Sequence, residues 1–186
     1  MNVVLIGFMG SGKTTIGRRL ARRLGYRFLD TDQFIEQEIG RTIAEIFASE
    51  GESYFRELET RVARRLPQLE NTVIATGGGM PMTPGNLDLL KRAGPVVFLK
   101  ADPEDIIQRL ERDTRRPIMQ QGNVRDTVTN LLGRRLPVYS QADLVVETGG
   151  KGMQRVAGDI IRFMGTFSRS APQETAPADS SAPSRE

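Results

Sequence analysis

The chain contains no cysteine, no histidine and no tryptophan among its 186 residues. Without cysteine there is no disulfide, no thiolate nucleophile and no Cys/His zinc site. Without histidine there is no imidazole base and no Ser-His-Asp triad. Chemistry must therefore run on carboxylates, lysine, arginine, hydroxyls and backbone amides, with a borrowed metal ion where one is needed. Phosphoryl transfer suits that inventory, because its catalysis consists mainly of positioning and charge stabilisation. Long apolar runs are missing too. The stretch at 3–6 is too short for a membrane span or a signal-peptide core, so a soluble, cytoplasmic chain without a membrane partner is expected.

Aromatic residues are scarce at 6%, and no base-stacking motif is visible, which argues against nucleic acid as a partner despite a net charge of +3. Lysine is scarce as well, at 4 against 22 arginines. Guanidinium grips carboxylate and phosphate bidentately, although most arginines in such a composition simply solvate helix faces. What remains is an ordinary globular mix, 38% hydrophobic and 26% charged, enough for one domain with its own core.

Short apolar runs alternate with helical patterns along the chain. Residues 3–6 (VVLI) read as a buried parallel strand. Ile16, Leu20 and Leu24 mark a helix from Thr14 that Gly25 closes. A strand at 27–29 runs into Asp30-Thr31-Asp32, and a helix from about Gln33 stops before Gly40. Thr42 with Glu45, and Ser49 with Glu52, have capping-box spacing and predict helices over about 43–48 and 52–66. Residues 72–75 predict a strand before Thr76-Gly77-Gly78-Gly79, and Pro84 predicts the first residue of a helix reaching Ala93. A strand at 95–99 precedes a helix from Asp102-Pro103 to about Arg112. The polar, aperiodic segment 113–123 predicts a mobile loop. A helix over about 124–136, a strand at 143–146 and a helix at about 153–164 complete the pattern. The remainder, 165–186, is rich in Ser, Ala and Pro and is expected to be disordered, leaving one domain over 1–164. Alternating strands and helices predict a three-layer α/β/α sandwich around a five-stranded parallel sheet, with ligands at the carboxyl ends of the strands.

Gly7 to Thr14 (GFMGSGKT) matches the phosphate-binding P-loop pattern G-x-x-x-x-G-K-[ST] in full, between a predicted strand and helix. Glycines there let backbone N–H groups turn inward onto phosphate oxygens, and the helix start adds a positive dipole end. Gly10, Ser11, Gly12, Lys13, Thr14 and Thr15 are thus the expected nucleotide cradle, with Lys13 on the β- and γ-phosphates and the Thr14 hydroxyl on Mg²⁺. No Asn/Thr-Lys-x-Asp guanine element follows, so a small-molecule kinase reads better than a GTPase or a motor ATPase.

In extended geometry Asp30 and Asp32 point the same way, so one carboxylate is free for Mg²⁺ and the other for an acceptor hydroxyl. The competing reading makes Asp32 merely the cap of the following helix. Arg56 and Glu59 share a helix face and can pair. Gly77 to Gly79 expose backbone N–H groups with no side chain in the way.

Taken together, GFMGSGKTTIGRRLA at 7–21, FLDTD at 28–32, IFASEGESYFRELE at 46–59, TGGG at 76–79, RRPI at 115–118 and RRLPVY at 134–139 resemble the shikimate kinase family, in its order and over residues 1–164. The resemblance implies a nucleoside-monophosphate-kinase-like P-loop fold with substrate-binding helices at about 32–66 and a lid at about 113–123. It implies transfer of the ATP γ-phosphoryl group to the 3-hydroxyl of shikimate, with Mg²⁺ as cofactor, in chorismate and aromatic amino-acid biosynthesis. Asp32 would bind the ring hydroxyls and act as base, Asp30 would sit on the Mg²⁺ side with Thr14, and Arg56 and Arg135 would clamp the carboxylate. Glu59 would orient Arg56, and Gly78 and Gly79 would offer amides. Arg116 would swing in from the lid to neutralise developing charge, and Arg109 would lie against adenine. The pattern departs at 148–153 (TGGKGM), where the family often has a proline and Met153 takes its place, and at Ile118, where leucine is usual. A kinase for another small polyol acid such as gluconate, or a nucleotide-dependent regulatory protein, are the alternatives. A monomer is expected.

Overall fold

Five strands form one parallel sheet in the order β2-β3-β1-β4-β5. They are β1 Val3–Ile6, β2 Arg27–Asp30, β3 Thr72–Ala75, β4 Val96–Lys100 and β5 Leu144–Glu147. The computed structural model describes residues 1–112 and 123–170. β1 and β3 are buried at every position because helices cover both faces of the sheet, and for that reason they read as unbroken apolar runs. The two-residue period still operates inside them. Val4 and Ile6 pack with Ile74, Phe98, Leu58, Leu90 and Tyr139 on one face. Val3 and Leu5 pack with Val73, Val97, Leu20 and Ile160 on the other.

The helices are α1 Lys13–Leu24, α2 Thr31–Ile39, α3 Ile43–Arg65, α4 Asn86–Ala93, α5 Pro103–Glu111, α6 Val124–Tyr139 and α7 Met153–Ser170. α1 and α7 supply the second face, while α3 to α6 cover the first. No helix among the described residues is long and apolar enough to cross a membrane. A fully buried Leu or Ile contributes about 1.5–3 kcal/mol relative to exposure, so each layer is held mainly by its apolar stripe. Because all strands run parallel, the turns after β1, β2, β3, β4 and β5 gather at one end of the sheet.

Several boundaries differ from those expected. Thr42 and Glu45 do form a capping box, but Ser49 and Glu52 do not. The Ser49 hydroxyl instead donates back to the Glu45 carbonyl at 2.9 Å. Gly51, at φ 81° and ψ 177°, makes the break, so α3 is two helical pieces joined at a kink. Pro84 does not open α4: Gly85 is its N-cap with φ 82°, and the chain before it forms a short 3-10 turn at Met80–Met82. α6 runs to Tyr139 rather than 136, with Pro137 inside it. α7 continues to Ser170, so the expected disordered tail cannot begin at 165. Val156, Ile160 and Met164 bury one face of this helix, and Phe163 packs against Phe167 at 5.6 Å between ring centroids. The expected mobile loop at 113–123 falls on 113–122, outside the described residues, and Asn123 caps α6.

Candidate active site

A cleft of about 1060 Å³ opens at the carboxyl ends of the strands. One wall is the P-loop between β1 and α1. Gly10 and Gly12 have φ of 76° and 93°, which side-chain-bearing residues rarely adopt, and this lets the loop curl back before the helix starts. Gly12 caps α1 with no side-chain partner, so the helix N-terminus is left open to the cleft. Lys13 Nζ donates to the carbonyls of Gly7 at 2.8 Å and Phe8 at 2.9 Å, holding the loop closed upon itself. Ser11 Oγ is buried and has no hydrogen-bond partner among the described residues.

Beside this wall β2 passes directly into α2. The Thr14 hydroxyl donates to Asp30 Oδ2 at 2.8 Å. Asp30 Oδ1 also accepts from the backbone of Asp32 at 3.1 Å and of Gln33 at 3.4 Å, so Asp30 is the N-cap of α2. Asp32 is therefore not the cap of the helix, which lies two residues earlier. Nor do the two aspartates share a strand: Thr31 already begins the helix, and Asp32 reaches the cleft from its first turn. Thr31 is fully buried, and its hydroxyl accepts from the Gly77 N–H at 2.9 Å, tying α2 to the glycine turn after β3.

That turn runs between charged groups that need the absence of side chains. A methyl on Gly77 would collide with Asp32 Oδ1 and lie 2.9 Å from Glu59 Oε1, and one on Gly79 would overlap the Arg56 guanidinium. Arg56 comes from α3. Its Nη1 donates to Glu59 Oε2 at 2.7 Å, and its Nη2 and Nε donate to Glu52 Oε1 at 2.7 and 3.2 Å. Burial works against the Arg56 charge, but Glu59 and then Glu52 outweigh it and raise its pKa. Glu59 has a side chain only 1% exposed. Burial pushes its carboxyl up to about 7, against the pull of Arg56, with Asp32 adding to the rise and Arg135 opposing it. Arg135 arrives from α6 and lies against Gly78. Its guanidinium carbon lies 5.4 Å from the centre of the Phe8 ring, and its Nη1 is buried without a hydrogen-bond partner among the described residues.

The far end of the cleft is formed by Arg109, Thr148, Lys151 and Met153. Arg109 Nη1 donates to the Gly10 carbonyl at 2.7 Å, so this side chain lies along the outside of the phosphate loop. Met153 is 46% exposed at the start of α7, beside the loop that follows β5. Phe47 and Phe55 make an apolar wall near Arg56, with ring centroids 5.0 Å apart.

Every expected site residue among the described ones therefore borders this single cleft: Gly10 to Thr15, Asp30, Asp32, Arg56, Gly78, Gly79, Arg109, Arg135 and Met153. Arg116 and the expected lid lie outside the described residues. Four contributors escaped sequence reasoning. Phe8 occupies a variable position of the P-loop pattern and supports Arg135, and Glu52 had only a helix-capping explanation. Thr31 was visible only as the residue between two aspartates. Lys151 sits in a glycine-rich turn with no pattern to mark it.

The arrangement can hold a phosphate chain over the P-loop and an anionic acceptor between Arg56 and Arg135. Comparison with known proteins accords with that division. A family model described as shikimate kinase matches residues 9–165. A shikimate kinase of Pelotomaculum thermopropionicum is 45% identical over 163 residues, 88% of this chain and 95% of that one. A solved shikimate kinase from Acinetobacter baumannii in complex with shikimate superposes with a TM-score of 0.84 at 40% identity, covering 91% of this chain and 94% of the other. A gluconokinase from Sinorhizobium meliloti reaches a TM-score of 0.57 at 17% identity over 91% and 97% of the two chains, a likeness of fold alone. With the P-loop, the aspartates and the two arginines in one cleft, and with matches across nearly its whole length, the chain belongs to the shikimate kinase family.

Proposed function

We propose that this enzyme transfers the γ-phosphoryl group of ATP to the 3-hydroxyl of shikimate, giving shikimate 3-phosphate and ADP. The observation that carries this reading is the placement of Arg56 against Gly79 and of Arg135 against Gly78, in the cleft that Asp32 and the P-loop also line. Two guanidinium groups hold one carboxylate in a fixed orientation, which turns a ring hydroxyl toward the phosphate chain. Gly78 and Gly79 present N–H groups to the same space without side chains.

The triphosphate is held by the P-loop N–H groups and the α1 N-terminus. Lys13, now spent on the Gly7 and Phe8 carbonyls, turns to the phosphate oxygens when they arrive. Asp32 accepts the hydroxyl proton as the oxygen bonds to phosphorus, and the ADP oxygen leaves in line. Arg116 belongs to the same reading as a lid residue that counters the charge on the transferring group. Arg109 and Met153 border the base.

The donor set fits Mg²⁺. Thr14 Oγ1 and Asp30 Oδ2 lie 2.8 Å apart beside the P-loop, both hard oxygens. Magnesium keeps several waters and needs only one or two protein oxygens besides the phosphates, and among the described residues no three Asp, Glu, His or Cys side chains are placed to hold a metal by themselves. When bound, the ion would neutralise charge on the β- and γ-phosphates. Asp30 and Thr14 would hold it. A monomeric working unit and, given the demand for ATP, a cytoplasmic setting belong to the same proposal.

The test is a coupled ADP-release assay with shikimate, gluconate, nucleoside monophosphates and water as acceptors. Shikimate alone should accelerate release strongly. Faster release with gluconate would transfer the assignment to another polyol acid, and ATP binding with no acceptor response would make the protein a nucleotide-dependent regulator.

A further inference from the structure

The proposed substrate contacts account for Arg135 and for the glycine amides, but not for what keeps either in place. Gly77 to Gly79 have no side chains to anchor them, and a glycine peptide can rotate easily. Tyr139 ends α6 one helical turn beyond Arg135, on the same face. It is fully buried, its ring lies 5.0 Å from that of Phe98, and its hydroxyl donates to the Gly78 carbonyl at 2.6 Å. Burial raises the pKa of this phenol, so the hydroxyl keeps its proton and stays a donor. In a trans peptide the carbonyl and the following N–H point in opposite directions. With the Gly78 carbonyl drawn onto Tyr139, the Gly79 N–H faces away from it. Among the described residues neither the Gly78 nor the Gly79 N–H has a protein acceptor, and Arg135 Nη1, also unpartnered, lies 3.4 Å from where a Gly78 Cβ would sit.

We propose that Tyr139 is a positioning residue for the acceptor, whose hydroxyl locks the Gly78–Gly79 peptide so that the Gly79 N–H and the Arg135 guanidinium face the same substrate. The inference rests on the shikimate reading above. Packing alone would be served as well by phenylalanine, so the hydroxyl is the feature to remove.

The experiment is Tyr139→Phe, assayed by coupled ADP release with each substrate varied in turn. Val128→Ala, which opens a core cavity elsewhere on α6, serves as a control for lost stability. Tyr139→Phe should raise the KM for shikimate about tenfold, with the KM for ATP within about twofold of wild type and kcat little changed. Val128→Ala should lower the melting temperature and leave both KM values alone. If Tyr139→Phe shifts both KM values together or neither, the inference is overturned. Should that variant not fold, 3-fluorotyrosine incorporated into a Tyr26→Phe/Tyr54→Phe background makes Tyr139 a stronger donor. A lower shikimate KM then supports the lock, and an unchanged one overturns it. A wild-type enzyme that ignores shikimate would instead remove the substrate reading itself.

Discussion

Replacing Gly79 by alanine tests the acceptor site without substituting any charged residue. The added methyl would lie 2.6 Å from Arg56 Cζ and 2.7 Å from Nη2, and closer still to Nη1. Comfortable contacts to such atoms begin at about 3.5 Å, so the guanidinium must retreat by about 1 Å. The backbone is no obstacle, because Gly79 has φ −89° and ψ −21°, which alanine adopts without strain. The retreat pulls Arg56 from its 2.7 Å bonds to Glu59 and Glu52 or turns it away from the cleft. A charge-assisted hydrogen bond contributes about 1.5–3 kcal/mol, and a clamp displaced by 1 Å costs on the order of 100-fold in rate. The expected result is a fall of roughly 30- to 100-fold in kcat/KM for shikimate, with the KM for ATP within about twofold and a melting temperature lowered by a few degrees, since the strained bond to buried Glu59 also weakens the fold. Coupled ADP release with both substrates titrated gives the kinetic values, and differential scanning calorimetry the melting temperature. A kcat/KM for shikimate within about threefold of wild type would refute the claim that Arg56, seated against Gly79, holds the acceptor.

Asp32→Asn keeps the shape of the α2 start but removes the proton acceptor, so kcat should drop at least about 100-fold with ATP affinity intact, and near-normal turnover would remove Asp32 from the chemistry. Arg109→Ala should raise the KM for ATP severalfold while sparing shikimate, because its contact is with the Gly10 carbonyl of the phosphate loop; an effect on shikimate alone would contradict that placement. Glu59 predicts a pH dependence of stability. Its folded-state pKa of about 7 lies above the ordinary 4.5, so the native protein binds more protons than the unfolded chain between those values. Its contribution is therefore fully present below about 4.5 and is lost as pH rises through about 7, a loss of at most about 3 kcal/mol. The urea midpoint of the wild type should fall from about pH 5 to 8 while that of Glu59→Gln stays level over the same range, and parallel curves would show that Glu59 does not carry the burial penalty.

Much of this molecule is legible from local pattern alone. VVLI and TVIA are short, apolar and β-branched, and such runs are stable only between two helix layers, so the central strands could be named without coordinates. The P-loop is equally local: eight consecutive residues carry both the glycines that permit its curvature and the lysine and threonine that use it. Errors came where a local rule met a tertiary or neighbouring demand. Ser49 and Glu52 have capping-box spacing, yet Gly51 at φ 81° takes the break in α3 and Ser49 bonds back into the preceding turn. Asp30 and Asp32 read as strand neighbours, but β2 ends at Asp30 and the two carboxylates reach the cleft by different routes, one as cap and one from the first turn. The extra length of α7 follows from apolar residues that pack against α1 and against one another, a partner that periodicity cannot see.

By itself, then, the sequence determined the layered parallel fold and the nucleotide loop, because both depend on residues adjacent in the chain and on periods of 2 and 3.6. The acceptor site was different. Arg56, Gly79, Asp32 and Arg135 belong to four separate elements, and only the sheet order β2-β3-β1-β4-β5 brings the ends of those elements together. The same holds for the pairing of Phe8 with Arg135 and of Tyr139 with Gly78, which join residues at least 61 positions apart in sequence but within hydrogen-bond or ring contact in space. The physical reason is range: backbone preference and hydrophobic period act over a few residues, whereas burial of charge against charge is decided only once the chain has closed on itself.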